Sequence, residues 1–436
     1  MNVTEAKRWL LAEAAVRGVD LEVLATRQSR LFIEAHDGRT SEISNSSRGG
    51  VGLRVVDGGK VGYASTEELS EAALGWALDE AIENASLQPD GAAVLPAGGN
   101  LGRHDLLSEG LSAPVEAKAA AAANLENGIK QDPRVQSVQH ARYYEGADEV
   151  EIGSSRGVDG SYRAGMVALV TSLVMRDGTS VKQGFKADAQ ADFYHLEPGT
   201  TAQDALRRIG RQLGARPLST GRRRAVLEPE VVAQLLGLFV YSLSGKTVAE
   251  GKSRLAQSLG QSIASELITV VDDPTLPNGL GSRPFDSEGT PSQRLVLVEN
   301  GVLRSFLHNT DTARRTGQRT TGHAQRTYAS VLSVGTSNLI LESGAGIPAG
   351  DGILVTDLMG LHAGANPITG DVSLQAMGME MIGGEQAPVD DFAVSFNLFE
   401  LLRQVEAVGD DSQWIAHSSS CRVPSLAVGE ISFAGS

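Results

Sequence analysis

A chain of 436 residues is long enough for two or three domains, because a single hydrophobic core rarely grows past roughly 250–300 residues. Its apolar fraction of 41% and charged fraction of 21% are those of an ordinary globular protein, while its 50 glycines point to many turns between short strands. The net charge of −15 repels phosphate backbones and no run of lysines and arginines offsets it, which argues against direct nucleic-acid binding.

Asn2 followed by Glu5 has the spacing of a helix-capping box, so the chain is expected to open with a helix closed by Gly18. Alternating apolar residues then predict an antiparallel meander, with hairpins at Asp37-Gly38 and at Asp57-Gly58-Gly59. Ser65 with Glu68 is read as the start of a covering helix that places Leu69, Ala73, Trp76 and Ala77 on one face. Residues 88–104, rich in Pro, Gly and Asp, are expected to be a linker. An alanine-rich helix over 114–129 is followed by alternating segments within 135–187 and by a helix over 201–213. In the last unit a strand at 224–227 leads into a helix over 229–243 with Pro229 in its first turn. Asn300-Gly301 is the strongest hairpin signal in the chain, further strands follow, and 397–406 is a late helix. The expected fold is α+β: an N-terminal α/β module at 1–100, a second at 101–217, both with antiparallel sheets, and a strand-rich C-terminal domain at 218–436.

The start of the chain lacks the basic beginning, continuous apolar run and cleavage site of a signal peptide. The longest apolar window, 231–243, falls short of the ~18 residues that span a bilayer. A single cysteine, Cys421, excludes an internal disulfide and any multi-cysteine metal site. A cytoplasmic location, without membrane partners, is the expectation.

Motifs that carry chemistry fail one by one. The eight histidines contain no pair at helical spacing, and none is followed by glutamate. Gly153-Ser154-Ser155-Arg156-Gly157 has the letters of a nucleophile elbow, but Val158-Asp159-Gly160 follows it where a helix is needed. Gly245-Lys246-Thr247 lacks the glycine that a phosphate loop requires five positions earlier, and Gly344-Ala345-Gly346 lacks the third glycine of a dinucleotide fingerprint. Cys421, with His417 four residues before it, leaves open a thiolate nucleophile or a buried bystander. Two stretches, 320–326 and 360–371, carry small and polar residues that suit either tight turns or a groove for an extended peptide. The segment 250–289 joins an apolar helix to this domain and gathers Asp272, Asp273, Asp286 and Glu288 among prolines and glycines.

Several of these stretches together carry a resemblance. Glu250-Gly251-Lys252-Ser253, Val271-Asp272-Asp273-Pro274, Pro284-Phe285-Asp286-Ser287-Glu288-Gly289, Thr320-Thr321-Gly322-His323, Asn366-Pro367-Ile368-Thr369-Gly370-Asp371 and Ile382-Gly383-Gly384-Glu385 resemble the TldD/PmbA family, also called modulator of DNA gyrase. The resemblance implies a cytoplasmic two-subunit metallopeptidase with a box-like dimer around a cavity. One subunit type carries H-E-x-x-x-H on a helix, with two histidines for zinc and a glutamate to activate water. In the matching helix here Pro229 and Gln234 stand where the histidines would be and Glu230 alone remains, so the chain resembles the PmbA/TldE type. No cofactor is expected in this chain, and zinc is expected in a paralogous H-E-x-x-x-H partner. A homodimer is a second possible assembly. With the resemblance, Phe285, Asp286, Glu288, Gly289, Thr321, Gly322, His323, Arg326, His362, Asn366 and Thr369 are the candidate substrate-binding residues, while Asp272 and Asp273, in a segment without histidine or cysteine, are expected to cap turns. Two other functions stay open: a pair that opens an amide in a modified peptide or small-molecule conjugate, and a stand-alone hydrolase using Cys421 or a serine.

Overall fold

The computed structural model describes residues 1–416 and 420–435. Helix α1 (Val3–Arg17) starts on the capping box of Asn2 and Glu5 and stops at Gly18 in the left-handed conformation. Three strands follow: β1 (Asp20–His36), β2 (Arg39–Asp57) and β3 (Lys60–Thr66). Helix α2 (Glu71–Ser86) is capped by Ser70 and not by Ser65, because residues 60–66 complete the pairing of β3 with β2 before the chain can turn. Trp76 accordingly faces solvent, and Leu74, Leu78 and Ala81 pack on the sheet with Leu10 of α1.

The stretch expected to be a linker ends in a strand, β4 (Asn100–Asp105). After α3 (Val115–Ile129) come β5 (Val135–Ser154), β6 (Asp159–Asp177) and β7 (Ser180–Gln190), then α4 (Pro198–Gly210). Residues 153–157 turn β5 into β6, as the missing helix after Ser155 requires. The strands of both N-terminal units form one sheet in the order β3-β2-β1-β5-β6, because β1 and β5 pair antiparallel along most of their length. The far edge of β6 is shared, with β4 pairing parallel to its start and β7 antiparallel to its remainder. Helices α3 and α4 cover one part of this sheet through Ala122, Leu125, Ala205 and Ile209.

Two further sheets build the C-terminal part. One runs Val302–Leu303, Leu295–Glu299, Val270–Asp272, Asn338–Leu341, Ser420–Val423, Gln413–Ala416. In the other, Leu426–Ala434 pairs with both Gly221–Leu227 and Glu385–Asn397, which closes five strands into a ring with Gly352–Met359 and Asp371–Ile382. Helix α5 (Pro229–Leu243) starts at Pro229 as expected and buries Val231, Leu235, Leu236 and Phe239 in the largest core, which spans both C-terminal sheets. Asn300 and Gly301, both at positive φ, make the tight turn their sequence announced. The architecture is α+β, mostly antiparallel, with a strand-rich C-terminal region. No described helix is long and apolar enough to cross a membrane.

Candidate functional site

The acids that stand out in the sequence lie at the junction of the two halves of the molecule, and they are buried. Glu22 and Arg54 face each other across β1 and β2. Arg54 Nη1 donates to Glu288 Oε1 at 2.5 Å and lies 3.5 Å from Glu22 Oε2, while Arg326 Nη2 donates to Glu22 Oε1 at 2.9 Å. The four side chains are 2% exposed or less. Burial pushes the Glu22 carboxyl up, against the pull of Arg326 and Arg54. The other Glu288 oxygen accepts from the Thr310 N–H at 2.8 Å. Asp286 is equally enclosed. It accepts from the N–H groups of Glu288, Thr290 and Ala324, yet burial and the neighbouring Glu288 push its pKa up to about 6.

Phe285 inserts from the C-terminal half into a small core of Leu24, Ile152 and Val158, edge-on to the Tyr162 ring. Gly289 takes a φ of +76°, and a Cβ there would lie 2.4 Å from Val158 Cγ1, so only glycine fits this close approach. His323 is fully buried, with Nε2 3.0 Å from Asp272 Oδ2 and Nδ1 2.9 Å from Thr321 Oγ1. Asp273 caps a local turn through the Thr275 N–H, as expected. Asp272 does not, because it reaches across to the N–H and hydroxyl of Ser337.

The structure therefore divides the sequence-derived candidates. Phe285, Asp286, Glu288, Gly289, His323 and Arg326 are packing and ion-pair residues of the junction, and Thr321 and Gly322 sit beside them in the turn that carries His323. His362 lies exposed on a short helical turn, Leu361–Gly364, and Asn366 and Thr369 on the exposed loop after it, where Asn366 Oδ1 accepts from the Ile368 and Thr369 N–H groups. That loop touches the end of α5 remote from Glu230, through the Ser242 hydroxyl and the Pro367 carbonyl. The two clefts described next are lined by other residues.

The first cleft, of about 230 Å³, opens at the first turns of α5 between β7 and α4. Arg208 reaches from α4 to Glu230 Oε1 at 2.6 Å and to Asp357 Oδ1 at 2.5 Å, and Lys186 Nζ lies 3.6 Å from the same Glu230 oxygen. One helical turn on, Arg211 grips Glu228 with two hydrogen bonds of 2.6 and 2.5 Å. The amide oxygens of Gln212 and Gln234 are buried there without a hydrogen-bond donor. The second cleft is a groove of about 930 Å³ between the N-terminal sheet and the C-terminal half. Phe185, Ala187 and Ala189 of β7 form part of its wall, and β7 pairs with β6 alone among the described strands. Cys421 is buried, paired in register with Leu339 and Ile415, which is no setting for a nucleophile, and His417 lies outside the described residues.

Three family models cover most of the chain: PmbA/TldA metallopeptidase domain 1 at residues 21–85, the central domain at 109–213 and the C-terminal domain at 220–435. The chain belongs to the PmbA/TldD metallopeptidase family. The metalloprotease PmbA of Escherichia coli O157:H7 is 27% identical over all of this chain and 98% of its own length. A protein named as a modulator of DNA gyrase from Thermotoga maritima superposes with a TM-score of 0.88 at 25% identity, covering 99% of this chain and all of that one. TldE from Thermococcus kodakarensis has the same fold, with a TM-score of 0.84 at 22% identity over 98% of this chain and all of its own.

Zinc is the metal that the family resemblance implies, and the α5 helix is where it would be held. The donor set there does not fit a zinc ion. Pro229 offers no ligand atom, Gln234 offers a neutral amide, and the Glu230 carboxylate is already matched by Arg208 and Lys186, whose positive charge stands where a cation would have to go. Among the described residues no group of three His, Cys, Asp or Glu side chains is placed to hold a metal. The site residues that sequence reasoning missed are Arg208, Lys186 and Arg283, together with Glu22 and Arg54. For the last two a signal existed, since opposite charges at paired positions of a hairpin face each other.

Proposed function

We propose that this chain is the non-metal, TldE-like subunit of a heteromeric metallopeptidase. A paralogous subunit carrying H-E-x-x-x-H supplies zinc and the water-activating glutamate, while this chain completes the substrate cavity. The observation that carries the reading is the Arg208–Glu230 pair, with Lys186 behind it. A glutamate held by a guanidinium and backed by a lysine is not free to bind a metal ion. The groove beside β7 supports the second half of the proposal. A strand with one unpaired edge accepts an extended peptide by main-chain hydrogen bonds, whatever the peptide's sequence. A cytoplasmic location belongs to the same reading.

The test is reconstitution. This chain, its H-E-x-x-x-H paralogue and an equimolar mixture are each passed over a sizing column and assayed on an unfolded polypeptide. The expected result is a stable mixed complex with chelator-sensitive hydrolysis well above either chain alone. Equal activity of the paralogue with and without this chain would contradict it, as would hydrolysis by this chain alone in chelator.

A further inference from the structure

Among the described residues that line the groove, one cation is left over. Arg30 lies 2.9 Å from Asp148 and Lys118 lies 2.5 Å from Glu145, so the other charged side chains of the lining each have an ion-pair partner, while Asp148 Oδ1 makes no hydrogen bond. Arg283 has no ion pair among the described residues, and its Nε and Nη2 are buried without any acceptor. These two N–H groups lie on one edge of the guanidinium, the fork that takes both oxygens of a carboxylate at once. Leaving such donors unmatched in a protein interior is costly, and a chain of net charge −15 offers many carboxylates that could have been placed there. The remaining wall includes Val240, Leu280 and Phe185, the last 57% exposed.

We propose that Arg283 anchors a carboxylate of a peptide lying in the groove against β7. This rests on the reading above and names the end of the substrate that this chain holds. A single uncompensated guanidinium matches a monoanion, and apolar walls beside an unpaired strand edge match a peptide, so the ligand is a carboxylate on a peptide. It is supplied either by the C-terminus or by an Asp or Glu side chain.

The experiment measures fluorescence anisotropy with this chain alone and three fluorescein-labelled peptides of the same Ala/Val/Leu sequence. One ends in a free carboxylate, one in an amide, and one is amidated with a central Glu. At least one carboxylate-bearing peptide is expected to bind about tenfold or more tighter than the plain amide. The free acid winning identifies the C-terminus as the source, and the Glu peptide winning identifies a side chain. Arg283→Met is expected to abolish the preference with an unchanged or higher melting temperature, and Arg283→Lys to restore part of it. The proposal is overturned if all three peptides bind alike or none binds, if the preference survives Arg283→Met, or if that variant melts lower. Hydrolysis by the reconstituted pair without carboxylate preference in this chain removes only this inference. Carboxylate preference without paired hydrolysis removes only the proposed function.

Discussion

The junction of Glu22, Arg54, Glu288 and Arg326 and the clamp of Arg208, Arg211, Glu228 and Glu230 are each built from two arginines and two glutamates, and each ties an N-terminal element to the C-terminal half. Their surroundings differ. The junction side chains are sealed, whereas those of the clamp are 15–26% exposed at the mouth of a cleft. In the sealed network every carboxylate is consumed by folding, since a buried charge survives only with its partner in place. In the clamp, water screens the pairs, and the same residue types shape a surface that a ligand or a partner subunit can reach. The acids that carry the family resemblance are therefore structural here, and the clefts beside them are lined by other residues.

The comparison can be broken by removing one glutamate from each network. Glu288→Ala leaves Arg54 buried against Glu22 alone at 3.5 Å, and should lower stability by about 3–5 kcal/mol in denaturant unfolding. Glu230→Ala, at the half-wet clamp, should lower it by about 1 kcal/mol or less. Equal losses would erase the distinction. An effect between these two is expected where Gly289 packs on the N-terminal half: Gly289→Ala forces a left-handed backbone on alanine at about 1–2 kcal/mol and also presses a methyl into Val158. An Ala variant as stable as the parent would show that this contact does not constrain the junction.

The smallest effect concerns pH, where two buried groups oppose each other. Asp286 has its pKa raised by burial and by Glu288 from 3.8 to about 6, so its contribution to stability is full below the unfolded value and is lost as pH rises through 6. His308 has its pKa lowered by burial and by His323 from 6.5 to about 4, so its contribution is present above 6.5 and is lost as pH falls toward 4. Acidification from pH 7 to 4 thus gains from Asp286 and loses from His308. Melting temperatures followed over this range should fall more steeply for Asp286→Asn than for the parent, and less steeply for His308→Gln. Parallel curves for all three would contradict the assignment.

Much of the fold was legible because its signals are local. The Asn2–Glu5 capping box, Pro229 at the start of α5 and the Asn300-Gly301 turn each act within a few residues, and each formed where expected. β4 was missed because its pairing among the described strands is parallel, to a strand whose paired residues lie nearly sixty positions on, and nothing in its own Gly- and Pro-rich surroundings marks it. The site was less legible for the same reason. Asp286 and Glu288 were noticed as acids, but the partner that buries Glu288 is Arg54, 234 residues away. Arg283, beside that motif, reads as an ordinary loop arginine, and only the fold leaves it lining a groove without a counter-ion among the described residues.

The claim that organises all of this is that the chain contributes shape and charge, and no metal, to a shared active site. Zinc content of the purified chain and of the reconstituted pair, measured by mass spectrometry after dialysis against zinc, tests it most directly. The account predicts one zinc per mixed complex, carried by the H-E-x-x-x-H subunit, and none retained by this chain alone. Stoichiometric zinc in the lone chain, lost on Glu230→Gln, would contradict it.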